Sequence, residues 1–179
     1  DATRRPSVSL WAERLHMATD ATLACPSCGW SYYVKAATCP RCEAPRPPLL
    51  LLRVHLWDPE SGALVPGDDG SLRTLCFAVV AAGTPVLLET HLLSGSYGTQ
   101  DPPCIEAELD GNGLSLRALD GREYVLRTAQ GAIRRIGSDP MRLSLSKDRV
   151  EWRLHAGPLD RLHRVVRFEL PQETSVARR

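Results

Sequence analysis

Hydrophobic and polar residues alternate along most of the chain after residue 48, in short runs separated by residues that form turns. Alternation with a period of two is typical of strands that bury one face, and breaks rich in glycine, aspartate or proline indicate turns between them. Because the runs are short and evenly spaced, they predict a mainly β fold, an antiparallel sandwich or barrel over residues 49–170. The predicted strands cover residues 49–57, 73–81, 85–93, 104–109, 113–118, 122–127, 132–136, 141–145, 149–155 and 163–169.

The segment around Asp120-Gly121 gives the most explicit prediction of strand pairing. Apolar residues alternate with polar ones on both sides of this dipeptide, and Asp-Gly favours the tight turn of a β-hairpin. We therefore expect residues 113–118 and 122–127 to pair as a hairpin. The side chains expected to face inward are Leu114, Leu116, Ala118, Tyr124 and Leu126.

Near the start of the chain the apolar period changes to that of a helix. Val8, Trp11, Leu15 and Ala18 follow one another at spacings of three, four and three, which predicts a helix over residues 7–19 with one apolar stripe. Because an isolated helix of this length is marginally stable in water, we expect the stripe to pack on the cysteine-rich segment that follows or on a preceding domain. The residues expected on the polar face are Ser9, Glu13, Arg14 and Asp20.

The strongest chemical signal is a pair of Cys-Pro-x-Cys motifs separated by ten residues. Two such pairs let four thiolates converge on one tetrahedral ion, and each pair contributes two ligands from one tight turn. Sulfur ligands suit Zn2+, and four of them leave no open coordination position, which is typical of a structural site. The spacing therefore predicts a zinc ribbon over residues 25–42 with Cys25, Cys28, Cys39 and Cys42 as ligands. An iron site of the rubredoxin type and two disulfides are the alternatives.

Residues beside the cysteines predict the local structure of the ribbon. Gly29 follows the first pair, where a positive φ lets backbone N–H groups turn towards the sulfurs, and Glu43 occupies the matching position after the second pair. Between the pairs, Trp30, Tyr32 and Val34 occupy alternate positions. This pattern predicts a short strand with one face against a core.

Length and composition limit the classes of function. A chain of 179 residues with 43% hydrophobic residues can form one ordinary domain and a small metal-bound module. Its formal net charge of +1 argues against a general polyanion binder, although residues 58–130 are acidic and residues 131–179 basic. No apolar run approaches the roughly 20 residues of a membrane-spanning helix, so we expect no membrane partner. All six cysteines, including Cys76 and Cys104 in apolar contexts, fit a reduced cytoplasm.

The remaining segments complete the predicted domain organisation. Residues 43–48, Glu-Ala-Pro-Arg-Pro-Pro, predict a stiff extended linker between the ribbon and the sandwich. Residues 94–103 are polar and end in two prolines, so we expect an exposed loop suited to contact a partner. Residues 171–179 are predicted to be a flexible tail. The five histidines are scattered, with no paired carboxylate evident beside them, and give no indication of a hydrolase.

The first fifteen residues carry the pattern D-x3-R-P-S-x3-W-x3-L, from Asp1 through Arg5-Pro6-Ser7 to Leu15. This pattern resembles the end of a eukaryotic-type Ser/Thr protein kinase domain, where D-P-x-x-R-P opens the last helix; Ala2 stands where that family has proline. Together with the two Cys-Pro-x-Cys motifs, it is similar to the tail of bacterial kinases encoded beside von Willebrand-type and metal-dependent phosphatase proteins in tellurite-resistance-type triads. The resemblance implies that residues 1–24 are the terminal helix of a kinase-like domain, which would be the partner in cis. A phosphatase or von Willebrand-type protein would be the partner in trans.

Two segments of the β region carry a second resemblance. Residues 135–139, Arg-Ile-Gly-Ser-Asp, look like the I-G-R/S turn of a forkhead-associated domain, and residues 152–156, Trp-Arg-Leu-His-Ala, look like its S-R-x-H-A segment. The resemblance implies a forkhead-associated-like sandwich and recognition of phosphothreonine through Arg153 and His155, although Trp152 replaces the serine of that family. The alternative is that Arg153 and His155 belong to the solvated face of an ordinary strand.

These patterns favour a non-catalytic regulatory or protein-interaction region of a bacterial Ser/Thr kinase, acting in signalling as a scaffold for a partner or substrate. We expect no kinase activity from this chain, because it has no glycine-rich loop before a V-A-I-K lysine, no H-R-D and no D-F-G. The alternative is a zinc-ribbon protein that binds nucleic acid through one basic surface, which we regard as the weaker hypothesis. That surface would consist of Arg134, Arg135, Arg142, Lys147, Arg149 and Arg153.

Overall fold

The computed structural model describes Arg5 and residues 7–95, 102–111, 113–145 and 152–171. It is mainly β, as predicted, with a helix and a small cysteine-containing module ahead of two larger antiparallel sheets. The elements are α1 (Val8–Asp20), β1 (Thr22–Ala24), β2 (Ser31–Tyr33), β3 (Leu49–Asp58), β4 (Ala63–Leu64), β5 (Cys76–Ala81), β6 (Val86–Leu88), α2 (Thr90–Ser94), β7 (Ile105–Asp110), β8 (Gly113–Ala118), β9 (Tyr124–Arg127), β10 (Ile133–Ile136), β11 (Met141–Ser144), β12 (Arg153–His155) and β13 (His163–Glu169).

The predicted N-terminal helix is present as α1. Ser7 caps it, because its hydroxyl oxygen accepts a hydrogen bond of 3.2 Å from the backbone N–H of Leu10. At the other end the backbone N–H of Val34 donates to the carbonyl of Ala21 over 2.9 Å, which ties the end of α1 to the cysteine-containing module. Asp1 and Pro6 of the kinase-like pattern lie outside the described residues.

The apolar stripe of α1 faces solvent. The exposed fractions are 87% for Val8, 56% for Trp11 and 61% for Leu15, so the expectation that the stripe packs on the module that follows it is wrong. The opposite side of the helix faces the sandwich because Asp20 accepts a hydrogen bond from the backbone N–H of Phe77, and burial raises the pKa of Asp20. A cavity of about 380 Å³ lies on this side, lined by Ala12, His16, Met17, Asp20, Leu75, Cys76 and His91.

The module between α1 and the sandwich, which we call the ribbon, is a hairpin of β1 and β2 followed by the second cysteine pair. Strand β1 precedes the predicted start of the ribbon at residue 25, and Leu23 in β1 lies opposite Tyr32 in β2. The predicted linker, residues 43–48, belongs to the ribbon as well, because Pro45 bridges to Thr38 and the chain continues directly into β3.

The two larger sheets share one core. The seven-stranded sheet has the order β10-β9-β12-β13-β3-β4, with β5 on β3, and the four-stranded sheet has the order β11-β8-β7-β6. Alternate residues of each strand point inward, as period-two alternation requires. The largest fully buried side chains of this core include Leu50, Leu52, Leu88, Ile105, Leu114, Leu116, Leu126, Ile136, Leu143, Leu154 and Phe168.

Most predicted strands are confirmed to within two residues, but three details are wrong. Residues 89–93 were expected to continue a strand, whereas the strand stops at Leu88 and α2 follows. The short strand β4 was not predicted, and the strand expected from residue 73 begins at Cys76. Residues 96–101 of the predicted contact loop, residues 149–151 of the predicted strand 149–155 and the tail after residue 171 lie outside the described residues.

The hairpin predicted around Asp120-Gly121 is also wrong, although its inward-facing residues are all buried. Strand β8 pairs with β7 and β11, whereas β9 pairs with β10 and β12 in the other sheet. Residues 119–123 therefore cross from one sheet to the other. The Asp120 carboxylate serves this crossing, because it accepts hydrogen bonds from the hydroxyl of Tyr124 (2.6 Å) and the backbone N–H of Arg122 (3.1 Å).

Candidate metal centre

The four predicted ligands meet at one point. The sulfur atoms of Cys25, Cys28, Cys39 and Cys42 all lie within 4.8 Å of one another. The Sγ atoms of Cys25 and Cys42 are 3.6 Å apart, and those of Cys28 and Cys39 are 3.7 Å apart. A tetrahedral ion with metal–sulfur bonds of about 2.3 Å separates its ligand atoms by roughly 3.8 Å. A disulfide needs about 2.05 Å, so the spacing fits a shared metal ion and not two disulfides.

The two cysteine pairs have the same backbone geometry. In the first turn the N–H of Gly29 donates to the carbonyl of Cys25 (2.8 Å), and in the second the N–H of Glu43 donates to the carbonyl of Cys39 (2.9 Å). Gly29 has φ of 72°, and Glu43 has φ of 59°. The backbone at the position predicted to favour glycine is therefore left-handed in both turns. In the second turn Glu43 adopts this conformation although it has a side chain.

Charge in the cluster favours a cation. Burial opposes ionisation of Cys25, but hydrogen bonds from the backbone N–H groups of Ser27 and Cys28 outweigh it and lower the pKa of that thiol to about 6. At Cys42 the N–H of Ala44 favours the thiolate, but the neighbouring cysteine sulfurs oppose it more strongly and raise the pKa to about 12. Four thiolates in contact repel one another, and the positive charge of a metal ion bound between them would offset that repulsion and favour the deprotonated thiols.

The site is built into the small core of the ribbon. Cys25 and Cys39 are buried, Cys28 is half-buried and Cys42 is exposed at the edge. Tyr32 packs beside the sulfurs, and burial followed by the charges of Cys25 and Cys39 raises the pKa of its hydroxyl. Among the residues that the structure describes, no fifth ligand joins the four sulfurs. This donor set can hold a metal ion in a closed site, which organises structure and leaves no position for a substrate.

The aromatic residues predicted between the pairs divide into two groups. Tyr32 and Val34 are buried in the ribbon, as the alternating pattern predicts. Trp30 is half-exposed, with the guanidinium of Arg41 at 5.4 Å from its ring centroid. Trp30 therefore belongs to the surface of the ribbon and not to its core.

The basic residues proposed for nucleic-acid binding do not form one free surface. Arg134 and Arg135 are adjacent in β10 and point to opposite faces. Arg135 pairs with Glu123 at 2.7 Å, and Arg142, at the edge of the other sheet, pairs with Asp110 at 3.2 Å. Lys147 and Arg149 lie outside the described residues.

His155 is not on a solvated face, contrary to the alternative reading of its strand. It is 3% exposed, and its Nδ1 lies 2.8 Å from Nε2 of His163. Because Nδ1 of His163 donates to the carbonyl of Arg161 (2.7 Å), Nε2 of His163 accepts and Nδ1 of His155 donates. Trp57 completes this cluster with its ring centroid at 5.1 Å from that of His155. A buried histidine in this position cannot contact a ligand at the surface, so the part that the forkhead-associated resemblance implies for it is not supported.

Sequence reasoning missed this histidine cluster because it forms only through the pairing of strands. His155 and His163 are adjacent through the pairing of β12 with β13, and His55 joins the same face through β3.

The two cysteines predicted to be free thiols, Cys76 and Cys104, are separate from the metal centre. Burial raises the pKa of Cys76 to about 11, and Cys104 is buried in the sandwich.

Two further findings concern the chain as a whole. Within the described ranges no helix has both the length and the apolar character needed to cross a bilayer. Comparison with protein-family models, with curated proteins and with solved structures finds no match.

Proposed function

We propose that this chain is a non-catalytic, zinc-binding regulatory and protein-interaction region of a bacterial Ser/Thr protein kinase, located in the cytoplasm. The observation that carries the proposal is the exposed apolar stripe of Val8, Trp11 and Leu15 on α1, directly ahead of the cysteine cluster. Apolar residues at helical spacing on an exposed face are typical of a helix that binds a groove on another protein.

The ribbon connects this helix to the sandwich. Its core includes Ala21 at the end of α1 and Leu49 at the start of β3, and Phe77 of β5 packs against the same core. Zinc would hold the two cysteine turns together, and the turns hold the end of α1. The metal would thus act as a structural joint that presents the stripe at a fixed angle to the sandwich.

The choice of zinc rests on the donor set. Four thiolates select zinc or iron, and zinc is the usual occupant of closed four-cysteine ribbons. Free thiols throughout the described chain suit a reducing compartment, which supports a cytoplasmic location.

The choice of partner rests on the kinase-like pattern around Arg5 and Trp11. In that reading the preceding kinase domain contacts the stripe in cis, and a phosphatase or von Willebrand-type protein binds in trans. Arg5 is exposed, which suits an arginine that lies at a boundary with another domain.

The test begins with the coding sequence upstream of Asp1. A kinase domain with H-R-D, D-F-G and A-P-E in the same reading frame is expected, and its absence overturns the proposal. The purified kinase domain is then titrated against this chain by calorimetry, with Trp11→Glu as the variant and Leu162→Glu as the control. Leu162 is as exposed as Leu15 but lies between β12 and β13. We expect Trp11→Glu to weaken binding at least tenfold and Leu162→Glu to leave it unchanged; equal effects, or no binding by the unaltered chain, contradict the proposal.

A further inference from the structure

The cavity beneath α1, which we call the α1 cavity, lies between two regions of the molecule. Met17 of α1 lines one wall, and Leu75 and Cys76 of the sandwich line the other. Its volume of about 380 Å³ is within the range of small-molecule sites. A second cleft of about 260 Å³ adjoins it and shares Asp20 and His91 with it. The carboxylate of Asp20 is therefore at the junction of both spaces.

This carboxylate lacks a strong partner of opposite charge. Asp20 accepts a hydrogen bond from the backbone N–H of Phe77, but it takes no part in the ion pairs formed among the described residues. Burial raises its pKa, and the attraction of His91 and His16, which line the same cavity, offsets that effect only in part. The surroundings thus stabilise the carboxylate less well than water does. A cation in the cavity would restore that stabilisation.

The end of α1 adds negative potential at the same point. Backbone carbonyls at the C-terminus of a helix carry a partial negative charge, which favours a cation near the last turn. The last turn of α1 contains no basic residue, and its final residue is Asp20 itself. Arg164 lies near Cys76, but its guanidinium donates to the carbonyls of His91 and Leu92 in α2. The position for a cation beside Asp20 is therefore not filled by Arg164.

The chemistry of the cavity favours an alkylammonium group over other cations. A metal ion needs several ligand atoms that converge, and among the described residues the four cysteines of the ribbon are the group that does so. A guanidinium binds a carboxylate best through both oxygens, whereas Asp20 already uses one acceptor position on Phe77. An ammonium group is a compact charge that needs one oxygen, and Ala12, Met17 and Leu75 offer apolar surface for the attached chain.

We propose that the α1 cavity binds a small primary alkylamine. Its ammonium group would donate to the Asp20 carboxylate, and its alkyl chain would lie between Met17 and Leu75. Hydrogen bonds between an ammonium and a carboxylate are stronger than those between neutral groups. Because α1 and the sandwich each contribute a wall, the ligand would hold α1 against the sandwich.

The test is a titration of the zinc-loaded chain with hexylamine, followed through backbone amide resonances. The neutral control ligand is hexan-1-ol, which has the same alkyl chain. We expect hexylamine to shift the amide of Phe77, which donates to Asp20, with a dissociation constant on the order of 1 mM for its seven non-hydrogen atoms. Hexan-1-ol should bind at least about tenfold more weakly. Absence of a shift at Phe77, or equal binding of the two ligands, overturns the proposal.

Variants locate the binding site. Asp20→Asn removes the charge but keeps an acceptor for the Phe77 N–H, and it should weaken hexylamine binding at least about tenfold, the loss of one hydrogen bond to a charged group. Glu108→Gln is the matched control, because it removes the same charge from an exposed position of β7 outside the cavity. Equal weakening by Glu108→Gln contradicts a defined site.

A second variant tests the cavity without a change of charge. Ala12→Leu enlarges a side chain that lines the α1 cavity, so it should also weaken hexylamine binding. Ala12 is exposed, and its replacement does not disturb the buried core. Unaltered binding in Ala12→Leu contradicts the proposed position of the ligand, and this variant keeps the test valid if Asp20→Asn folds poorly.

Another ligand distinguishes a free amine from the side chain of a lysine. Nα-acetyl-lysine N-methylamide carries the same ammonium group on a peptide backbone. We expect it to bind more weakly than hexylamine, because its amide groups would lose water against the apolar surface of Ala12, Met17 and Leu75. Tighter binding of the lysine compound overturns the assignment to a free amine.

The α1 cavity and the stripe of α1 lie on opposite sides of the helix, so the two proposals can fail independently. Trp11→Glu should leave hexylamine binding unchanged, and Asp20→Asn should leave binding of the kinase domain unchanged. Hexylamine should also slow hydrogen exchange of the amides of α1, because a ligand that contacts both walls stabilises the docked helix. Unaltered exchange at saturating hexylamine contradicts a site between α1 and the sandwich.

Discussion

The ribbon and the sandwich are stabilised in different ways. The sandwich buries leucine, isoleucine, valine and phenylalanine from both sheets in one continuous core. The buried residues of the ribbon are few, two of them are the cysteines Cys25 and Cys39, and another, Leu49, belongs to the sandwich. A segment of this size cannot bury enough apolar surface to fold alone, and a metal ion held by the four cysteines would supply the missing stabilisation. Removal of the metal should therefore unfold the ribbon and leave the sandwich folded.

The largest expected effect is loss of the ribbon in Cys39→Ser. Structural zinc contributes on the order of 10 kcal/mol to folding of such modules at neutral pH, and three cysteines cannot form the closed site. We expect the variant to lose its metal and the amides of residues 21–46 to lose protection from hydrogen exchange, while the sandwich core remains protected. Metal analysis and hydrogen exchange followed by mass spectrometry measure both.

Cys76→Ser is the control for this experiment, since Cys76 is a half-buried thiol in β5 outside the metal centre. It should keep one metal ion per chain. The contrast between the two regions fails if Cys39→Ser retains its metal and its full thermal stability. It also fails if the sandwich unfolds together with the ribbon.

An effect of intermediate size is expected on the stability of the sandwich when the pH is lowered. Burial, with the nearby charges of His163, Arg127 and Arg153, lowers the pKa of His155 from 6.5 to about 4. At a pH between these two values, His155 is therefore protonated in the unfolded chain but not in the folded chain. The free energy of unfolding consequently falls as the pH decreases through this window. The full pKa shift corresponds to a loss of about 3 kcal/mol in the free energy of unfolding, which is reached near pH 4.

Urea unfolding followed through Trp57, which lies against His155, measures this loss. His155→Gln keeps a donor for Nε2 of His163 but does not titrate, so its unfolding free energy should change less between pH 6.5 and 4. An identical pH dependence in the variant and the unaltered chain would show that other groups cause the acid sensitivity.

The clustering of the four cysteines could be predicted from the sequence because all its information is local. Each pair of cysteines comes from one turn, and the spacing between the pairs fixes how they converge. The strands were predicted for the same reason, since period-two alternation is visible within a few residues. The left-handed backbone of Glu43, in the position matching Gly29, does not follow from the sequence, because a residue with a side chain rarely adopts it.

Features that depend on pairing between distant segments could not be predicted in this way. Asp120-Gly121 has the sequence of a hairpin turn, but the chain crosses between sheets there because β9 pairs with β10 and β12. The histidine cluster needs the register of β12 and β3 with β13, and β3 and β13 are more than 100 residues apart in sequence. The orientation of α1 was also missed, because the hydrogen bond from Phe77 to Asp20 brings the polar side of the helix inward.

The smallest expected effect concerns the left-handed residue in each of the two turns of the metal centre, which is Gly29 in the first turn and Glu43 in the second. A left-handed backbone costs a residue with a side chain about 1 kcal/mol relative to glycine, and Glu43 bears this cost at φ of 59°. Glu43→Gly should therefore stabilise the zinc-loaded ribbon by up to about 1 kcal/mol, partly offset by the greater freedom of glycine in the unfolded chain. Gly29→Ala should destabilise it by a similar amount through strain alone, because a Cβ at Gly29 meets no atom within 4 Å. Competition for zinc with a chromophoric chelator measures both changes. A lower zinc affinity in Glu43→Gly would contradict the prediction. It would mean that the Glu43 side chain stabilises the turn by more than the left-handed backbone destabilises it.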